Sequence, residues 1–201
     1  MVRDLGVKDL ILGTMKSSKS AQLIMKGYQL DEQGKTVLTL KPETDSRDGG
    51  YVSSRALTMN RKAILVPRDV DYTFMYGAME MYHPSVILLD EIQFFTVKQI
   101  EALAEISTEY DIDIYAYGLM MSYNGQMFEP VKRAIECGFK INTLKSPCDR
   151  CNNDSTHHLL FLNDELQTTG DAINVEDFAN KQQRYESVCF KCYMNAIKSK
   201  K

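Results

Sequence analysis

The sequence predicts an α/β protein in which a mostly parallel sheet has helices on both faces and a small metal-binding domain follows. Three observations predict this fold class. Short aliphatic runs alternate with helical patterns over the first two thirds of the chain, as in folds that wind strands and helices in turn. Residues 86–89 are all aliphatic, which is typical of a central parallel strand covered on both faces. Near Lys145 the periodicity weakens, and four of the five cysteines follow.

The strands are predicted from short apolar runs, at residues 8–12, 35–40, 63–66, 86–89, 112–117 and 139–144. A helix over residues 20–30 is indicated because Leu23, Gly27 and Leu30 recur at helical spacing. Residues 42–55 are rich in Asp, Ser and Gly, and this composition predicts a mobile loop.

Two further helices have predicted ends. Thr96 and Gln99 fit a capping box, in which the threonine hydroxyl accepts from a free amide and the glutamine side chain reaches back. Residues 129–137 form a helical pattern that Gly138 ends. Because the pattern changes after these elements, we expect one domain over residues 1–144 and a second over residues 145–201.

Composition and charge limit the possible functions. The chain has 201 residues, 44% of them hydrophobic, and a net charge of −3, so it can form a core but lacks the basic excess of duplex-binding proteins. No aliphatic run approaches the roughly 20 residues of a membrane helix. The first residues lack the apolar stretch of a signal peptide, so we expect a cytoplasmic protein without a nucleic-acid or membrane partner. Residues 198–201 are basic, and we expect a solvated tail there.

The first candidate site is the octapeptide Gly13-Thr14-Met15-Lys16-Ser17-Ser18-Lys19-Ser20. A P-loop has the pattern G-x-x-x-x-G-K-[ST] between a strand and a helix, and only Ser18 departs from it. Amides at the helix start would hold the phosphates of a nucleotide, Lys19 would reach the β- and γ-phosphates, and Ser20 would ligate Mg²⁺. A left-handed conformation at Ser18 would cost about 1–2 kcal/mol. On these residues alone, an ordinary polar turn is equally open.

The second candidate site is the acidic pair Asp90-Glu91, which follows the buried strand at residues 86–89. Open α/β sheets bind ligands at the carboxyl ends of their strands. Asp90 would hold Mg²⁺ there, and Glu91 would lie beside the phosphates as a base. Two solvated acids at a strand end are the alternative, and the pair does not separate a kinase from an ATPase. Its spacing from Lys19 favours nucleotide binding.

The third candidate site consists of two C-x-x-C pairs, Cys148 with Cys151 and Cys189 with Cys192. Four thiolates form a tetrahedral site for structural Zn²⁺, whereas redox motifs, the alternative, usually occur singly. Zinc binding can contribute on the order of 10 kcal/mol, enough for a segment of weak apolar periodicity to fold. Two other expectations concern residues outside the pairs: Cys137 is a small buried apolar residue, and His157 and His158 are polar surface residues.

In their order along the chain, these motifs resemble those of the cellular type 1 thymidine kinases, which couple a P-loop core to a zinc-bearing lasso domain. Beyond the P-loop and the cysteines, the resemblance rests on Lys41-Pro42, Asp45-Ser46-Arg47, Ser54-Arg55, Asp90-Glu91-Ile92-Gln93-Phe94-Phe95, Tyr117-Gly118-Leu119, Gly125, Phe128, Tyr185, Ser187, Val188 and Tyr193. The resemblance covers nearly the whole chain. It implies a RecA-like P-loop sheet followed by a zinc lasso.

The resemblance also implies an activity, the transfer of the ATP γ-phosphoryl group to the 5′-hydroxyl of thymidine or a related deoxynucleoside. It implies that Glu91 is the base and that Arg47 stabilises charge on the phosphoryl group. The implied ATP contacts are Gly13, Thr14, Met15, Lys16, Ser17, Ser18, Lys19, Ser20, Asp90 and Gln93. The implied Mg²⁺ ligands are Ser20, Asp90 and Asp45. The implied thymidine contacts are Met15, Phe94, Leu119, Tyr123, Phe128, Phe178 and Tyr185. A homo-oligomer, a tetramer in the family, is implied as well.

The chain departs from the family pattern at four places. Ser18 replaces the P-loop glycine, Lys16 replaces an aromatic residue, Asn180-Lys181 stand where the family has Gly-Gly, and Met120-Met121-Ser122 replace a more polar stretch. Two alternatives therefore stay open: a non-catalytic nucleotide-binding regulator with a degenerate P-loop, and a P-loop ATPase. The presence of both Asp90 and Glu91 favours the kinase, because a protein that only binds nucleotide has no need of the base.

Overall fold

A computed structural model of the protein describes residues 6–45, 49–54, 56–70, 72–170 and 182–200. The strands in these ranges are β1 (Lys8–Leu12), β2 (Val37–Pro42), β3 (Tyr51–Ser53), β4 (Asn60–Lys62), β5 (Ile64–Val66), β6 (Val86–Leu89), β7 (Asp113–Gly118), β8 (Lys140–Thr143), β9 (His157–Leu162), β10 (Glu165–Gln167) and β11 (Gln183–Val188). The helices are α1 (Lys19–Glu32), α2 (Tyr72–Tyr82), α3 (Val97–Tyr110), α4 (Glu129–Glu136) and α5 (Phe190–Lys200), with a 3-10 helix at Ile92–Phe94.

The main sheet has six strands in the order β5-β2-β6-β7-β1-β8. Four of its neighbouring pairs, β1–β7, β6–β7, β2–β6 and β2–β5, are parallel. Helix α1 connects β1 to β2 and so moves the chain towards β5 in the strand order. Helices α2 and α3 connect β5 to β6 and β6 to β7, and so move the chain in the opposite direction. Because such crossovers are right-handed, α1 covers one face and α2 and α3 the opposite face, where α4 also packs against α3. The predicted mostly parallel sheet with helices on both faces is confirmed.

Strand β6, which ends just before the acidic pair Asp90-Glu91, lies in the core of the main sheet. All four side chains of β6 are buried, as its aliphatic run predicts. Leu40 on β2 and Ile114 on β7, the neighbouring strands, are 0% exposed. Burying one such side chain contributes about 1.5–3 kcal/mol, so the end of β6 is firmly held within the sheet.

The predicted helix ends are also present. Gln99 donates its backbone N–H to Thr96 Oγ1 at 3.2 Å, and Gln99 Oε1 accepts the Thr96 N–H at 2.9 Å, which is the predicted capping box at the start of α3. Gly138 follows α4 with a φ of 84°, a left-handed angle that glycine adopts without strain.

Three elements of the first half, β3, β4 and α2, differ from the sequence prediction. Residues 51–53 lie in the predicted mobile loop but form β3, which pairs antiparallel with β4. The side chain of Val52 there is 0% exposed. Helix α2 was not predicted either. Three-residue strands are too short to show a period, and α2 contains apolar side chains on most of its surface, including the exposed Tyr72 and Met81.

The cysteine-rich part of the chain has more regular structure than its sequence predicts. It contains a three-stranded antiparallel sheet in the order β10-β9-β11, followed by α5. The small core between them buries Cys148, Leu159, Phe161, Val188, Cys189, Tyr193 and Ala196. Residues 198–200 are exposed, as predicted for a solvated tail, although they belong to α5, which extends to Lys200.

The described residues separate into two compact units. The first takes those within 6–12, 18–118 and 129–142, and the second those within 13–17, 119–128 and 143–200. The second unit thus includes the first half of the predicted P-loop. A single boundary near residue 145 stays a prediction. None of the described helices has the length and apolar character needed to span a membrane.

Candidate functional site

Acidic side chains lie at the carboxyl ends of two neighbouring parallel strands in the first unit. Asp45 follows β2 and is 7% exposed; Asp90 and Glu91 follow β6, and Asp90 is 5% exposed. Burial, then the charges of Glu91 and Asp45, raise the pKa of Asp90 to about 7, against the opposing charge of Lys41. A divalent cation would relieve this repulsion, because oxygen ligands of this kind bind hard cations.

Lys41 is a buried cation among these acids. Its Nζ lies 3.3 Å from Asp45 Oδ2, and the two side chains are 1% and 6% exposed. It also donates to the carbonyl of Tyr51 at 3.1 Å. Removing one partner of such a pair leaves an uncompensated buried charge, so Lys41 helps to hold Asp45 in place. Lys41 belongs to a motif of the predicted site but had no predicted role; its place in a largely apolar strand was the available signal.

Lys19 is the first residue of α1 and faces the acidic pair. Burial lowers the pKa of its ammonium group, while the charges of Glu91 and Asp90 act in the opposite direction. The preceding residue, Ser18, has φ 62° and ψ 24°, the left-handed conformation expected if it occupies the position of the P-loop glycine. This left-handed conformation costs about 1–2 kcal/mol, and it lies where the loop ends and α1 begins.

Glu91 is held by a neighbouring amide. Gln93 Nε2 donates to Glu91 Oε2 at 2.5 Å, and Gln93 is 0% exposed. Glu91 itself has φ 51°, and strained backbone of this kind often occurs at functional sites. A Cβ on Gly118 would lie 2.4 Å from Gln93 Oε1, so only glycine leaves room for this amide. The ATP contact implied for Gln93 stays a prediction.

The first half of the P-loop octapeptide belongs to the second unit. Thr14 Oγ1 lies 2.7 Å from Ser155 Oγ and 3.0 Å from Ser146 Oγ. The Met15 N–H donates to His158 Nε2 at 2.8 Å. His158 is 3% exposed, so its predicted place at the polar surface is wrong. The apolar run that directly follows His158, at residues 159–162, was the available signal that this histidine is buried.

Several predicted thymidine contacts also lie in the second unit. Leu119, Tyr123 and Phe128 are 8%, 7% and 6% exposed, and Tyr185 on β11 is half-buried. Burial raises the pKa of the Tyr185 hydroxyl, and Tyr123 adds to the shift. Tyr123 donates its hydroxyl to the carbonyl of Thr169 at 3.2 Å and accepts at its own carbonyl from Tyr193.

The remaining predicted site residues are divided between the two units and the undescribed part of the chain. Phe94 lies in the 3-10 helix of the first unit and is half-buried, and Ser20 lies in the first turn of α1. Met15 and Lys16 follow Thr14 in the second unit. Arg47 and Phe178, like Arg55 and Asn180-Lys181, lie outside the described residues.

The four cysteines of the C-x-x-C pairs form one group that could hold a metal ion. Their sulfur atoms all lie within 4.8 Å of one another, and Cys151 Sγ lies 3.6 Å from Cys189 Sγ. Backbone and side-chain N–H groups point at the sulfurs: Arg150 N donates to Cys148 at 3.4 Å and Asn153 Nδ2 to Cys151 at 3.5 Å. Cys137 is outside this group, but it is half-buried rather than fully buried.

Together these features define an α/β protein of the P-loop class with an attached four-cysteine unit. Comparison with known proteins gives the particular family, because the family model for thymidine kinase matches residues 6–193. A thymidine kinase of Streptococcus pyogenes serotype M3 (strain ATCC BAA-595 / MGAS315) is 32% identical over 185 residues, covering 91% of this chain and 94% of the relative. One of Streptococcus thermophilus (strain CNRZ 1066) is 34% identical over 184 residues, covering 91% of each. The chain belongs to the thymidine kinase family.

Likeness to solved structures is weaker. The crystal structure of the Pif1 helicase from Candida albicans superposes with a TM-score of 0.43 at 14% identity, over 70% of this chain and 36% of that one. This is too low to bear on function.

Proposed function

We propose that the chain is an ATP-dependent thymidine kinase that converts thymidine and ATP to thymidine monophosphate and ADP. The observation that carries the proposal is the charge arrangement of the first unit, in which Lys19 at the start of α1 faces Asp90 and Glu91 at the end of β6. A cation for the transferring phosphoryl group, an acid for the metal and a base for the acceptor are the parts that phosphoryl transfer needs. Family membership supports the choice of thymidine as acceptor.

ATP would bind along residues 13–20. The backbone N–H groups at the start of α1 point away from the helix and carry partial positive charge, which suits phosphate oxygens. Lys19 would neutralise charge on the β- and γ-phosphates. Asp90 and Gln93 would complete the ATP site, as the family resemblance implies.

Mg²⁺ would be held by Asp90 with Ser20, and Asp45 would lie near it. Two buried carboxylates that repel each other, with Lys41 as their buried counter-charge, fit a hard divalent cation. When bound, the ion neutralises charge on the β- and γ-phosphates. The ion pair with Lys41 holds Asp45 in place for this role.

Glu91 would act as the base. Its carboxylate accepts the proton of the thymidine 5′-hydroxyl as that oxygen forms a bond to the γ-phosphorus, and the bond to the ADP oxygen breaks. Because the transition state of such reactions is loose, positioning matters more than base strength. The hydrogen bond from Gln93 serves this positioning, and Arg47 would stabilise charge on the transferring group.

The thymine base would contact an apolar and aromatic set of side chains. Leu119, Tyr123, Phe128 and Tyr185 are buried or half-buried within the second unit, as apolar ligand contacts usually are. Met15, Phe94 and Phe178 complete the set that the family resemblance implies. The same resemblance supports a homotetramer in the cytoplasm.

The four cysteines would hold structural Zn²⁺. With zinc–sulfur bonds of about 2.3 Å, tetrahedral geometry places two sulfurs about 3.8 Å apart, and the Cys151–Cys189 distance of 3.6 Å fits this value. Four thiolates close the coordination sphere, so the metal would stabilise the fold and leave no position for a substrate.

One assay tests the proposal. The protein is incubated with Mg-ATP and, separately, thymidine, deoxyuridine or deoxycytidine, and the 5′-monophosphate is measured. We expect product with thymidine, and loss of kcat in Glu91→Gln with ATP affinity nearly intact, because ATP binding does not use the base. Glu80→Gln, a substitution of an exposed glutamate on α2, is the control. ADP formed without nucleoside would indicate an ATPase, and ATP binding without turnover would indicate a regulator.

A further inference from the structure

We propose that His158 and Ser187 position the phosphate-binding loop and that the four-cysteine group holds them in place, so that metal at the cysteines strengthens ATP binding. The proposal rests on the proposed function in one respect, that residues 13–20 bind ATP. Every contact that carries it lies within the second unit.

Both backbone polar groups of Met15 are bound by side chains of this unit. The Met15 N–H donates to His158 Nε2 at 2.8 Å, and the Met15 carbonyl accepts from Ser187 Oγ at 3.0 Å. A peptide held at its N–H and its C=O has little freedom to rotate. Met15 therefore has a fixed orientation three residues before the turn at Ser18.

We call His158 and Ser187, the two side chains that bind the Met15 backbone, the clamp. They lie opposite each other on neighbouring strands. His158 on β9 and Ser187 on β11 are a directly opposed pair in the antiparallel ladder, so they project from the same face of the sheet. They are 3% and 2% exposed. A buried imidazole and hydroxyl of this kind are held firmly and have no access to water as a competing partner.

The clamp is tied directly to the cysteines. Ser187 donates its N–H to Asp149 Oδ2 at 2.8 Å, and its carbonyl accepts the Asp149 N–H at 2.8 Å. Asp149 lies between Cys148 and Cys151, and Ser187 lies two residues before Cys189. Metal that joins the two cysteine pairs would therefore hold Ser187 from both sides.

A second anchor holds the residue before Met15. The hydroxyl groups of Thr14, Ser146 and Ser155 lie within 2.7–3.0 Å of one another. Ser146 and Ser155 flank the first cysteine pair and are joined by a backbone hydrogen bond of 2.8 Å from Ser155 N to the Ser146 carbonyl. The loop is thus anchored on both sides of that pair.

The physical need for such anchors lies in the backbone of the loop. Lys16 and Ser18 have φ angles of 66° and 62°, and each left-handed non-glycine residue costs on the order of 1 kcal/mol. Strained conformations persist only where the surrounding contacts over-determine them. The clamp on Met15 and the hydroxyl cluster on Thr14 supply such contacts, so the loop is ordered before ATP arrives and binding does not have to order it.

The chemistry of the clamp defines its test variants. Because His158 Nε2 accepts a hydrogen bond, the imidazole is neutral and has its proton on Nδ1. Glutamine can present an acceptor at a similar position, whereas leucine cannot. Ser187→Ala removes only the donor to the Met15 carbonyl, and Ser199→Ala on α5 is the matched control in the same unit.

The first experiment measures ATP binding without nucleoside by calorimetry, in protein with its full metal content. We expect His158→Leu to raise the Kd for ATP about five- to tenfold, since it leaves a buried N–H without an acceptor. His158→Gln should restore most of the loss, Ser187→Ala should raise the Kd severalfold, and Ser199→Ala should have no effect. In the kinase assay the KM for ATP should rise while kcat stays near wild type. Wild-type Kd values in both His158→Leu and Ser187→Ala overturn the clamp.

The second experiment measures hydrogen exchange of the Met15 amide before and after the metal is removed with a chelator. We expect this amide to be protected in the metal-loaded protein, and to exchange faster after metal removal and in His158→Leu. Undiminished protection without metal overturns the coupling to the cysteines. If the wild type binds no ATP, the proposed function fails, but the exchange of Met15 still decides whether the clamp exists.

Discussion

At the scale of one residue, Asp90 lowers the stability of the folded chain but provides a ligand for the proposed metal ion. Its side chain is 5% exposed, and the negative charges of Asp45 and Glu91 repel its carboxylate. Lys41 is paired with Asp45 at 3.3 Å and offsets this repulsion in part. An ionised carboxylate in such surroundings destabilises the folded chain. A bound cation offsets this cost, because the carboxylate is then a metal ligand.

This cost predicts a pH-dependent effect of Asp90→Asn in chelator-treated protein. The pKa of Asp90 in the folded chain, about 7, lies above the ordinary value of 3.8, so folding favours the protonated form. The destabilisation is absent below about pH 4, grows between about pH 4 and 7, and is complete above about pH 7. We expect the Tm of Asp90→Asn to exceed that of wild type by a margin that widens from about pH 5 to pH 8, as thermal unfolding measures.

Asp69→Asn, at an exposed position, is the matched control and should show no such trend. Turnover with Mg-ATP should be lost in Asp90→Asn at every pH, because the amide is a poor Mg²⁺ ligand. A constant Tm difference across the pH range would contradict the buried-charge argument.

At the scale of elements, the end of β7 and the 3-10 helix after β6 fit together through one glycine. Gly118 ends β7, and its missing side chain makes room for Gln93 and for Ile92, whose Cγ2 would lie 2.6 Å from an added Cβ. Gln93 in turn donates to Glu91. The packing of two elements thus sets the orientation of the proposed base.

Gly118→Ala is therefore expected to lower kcat by tenfold or more, since the methyl group displaces the amide that holds Glu91 and general-base catalysis is worth about 10²–10⁴-fold. Gln93→Leu should have a similar effect, and the double variant should be no worse than either single one, because both act through the same hydrogen bond. Steady-state kinetics check this prediction.

Gly77→Ala is the control, because an added Cβ there has no neighbour within 4 Å and alanine favours the helix it lies in. Additive losses in the Gly118 and Gln93 double variant would show that the two residues act independently of each other.

Sequence patterns predicted the elements whose side chains repeat over several residues. The aliphatic run of β6, the capping box at Thr96 and the stop at Gly138 all required only local information. The acidic pair and Lys19 could be placed for the same reason, because strand ends and helix starts meet at one edge of a parallel sheet. Local patterns do not show contacts between distant residues. His158 meets Met15, and Gly118 meets Gln93, only after the chain has folded.

At the scale of the whole molecule, the two units differ in what holds them together. The first unit has a six-stranded sheet with many fully buried aliphatic side chains. The core around the cysteines of the second unit contains only seven buried residues, two of which are Cys148 and Cys189. A core this small supplies little net stability, so we expect the second unit to depend on its metal.

Metal removal is accordingly expected to destabilise the second unit selectively. Zinc binding to such sites is worth on the order of 10 kcal/mol, more than a small core can replace, whereas the main sheet has no such dependence. Calorimetry should show an added low-temperature transition after chelation, and limited proteolysis should cut within 145–200 before it cuts β1, β6 or β7. Cys189→Ser should reproduce both changes and lose the metal. Cys137→Ser, which alters a cysteine outside the group of four, should retain metal and unfold as wild type does. One unchanged transition after complete metal removal would contradict this dependence.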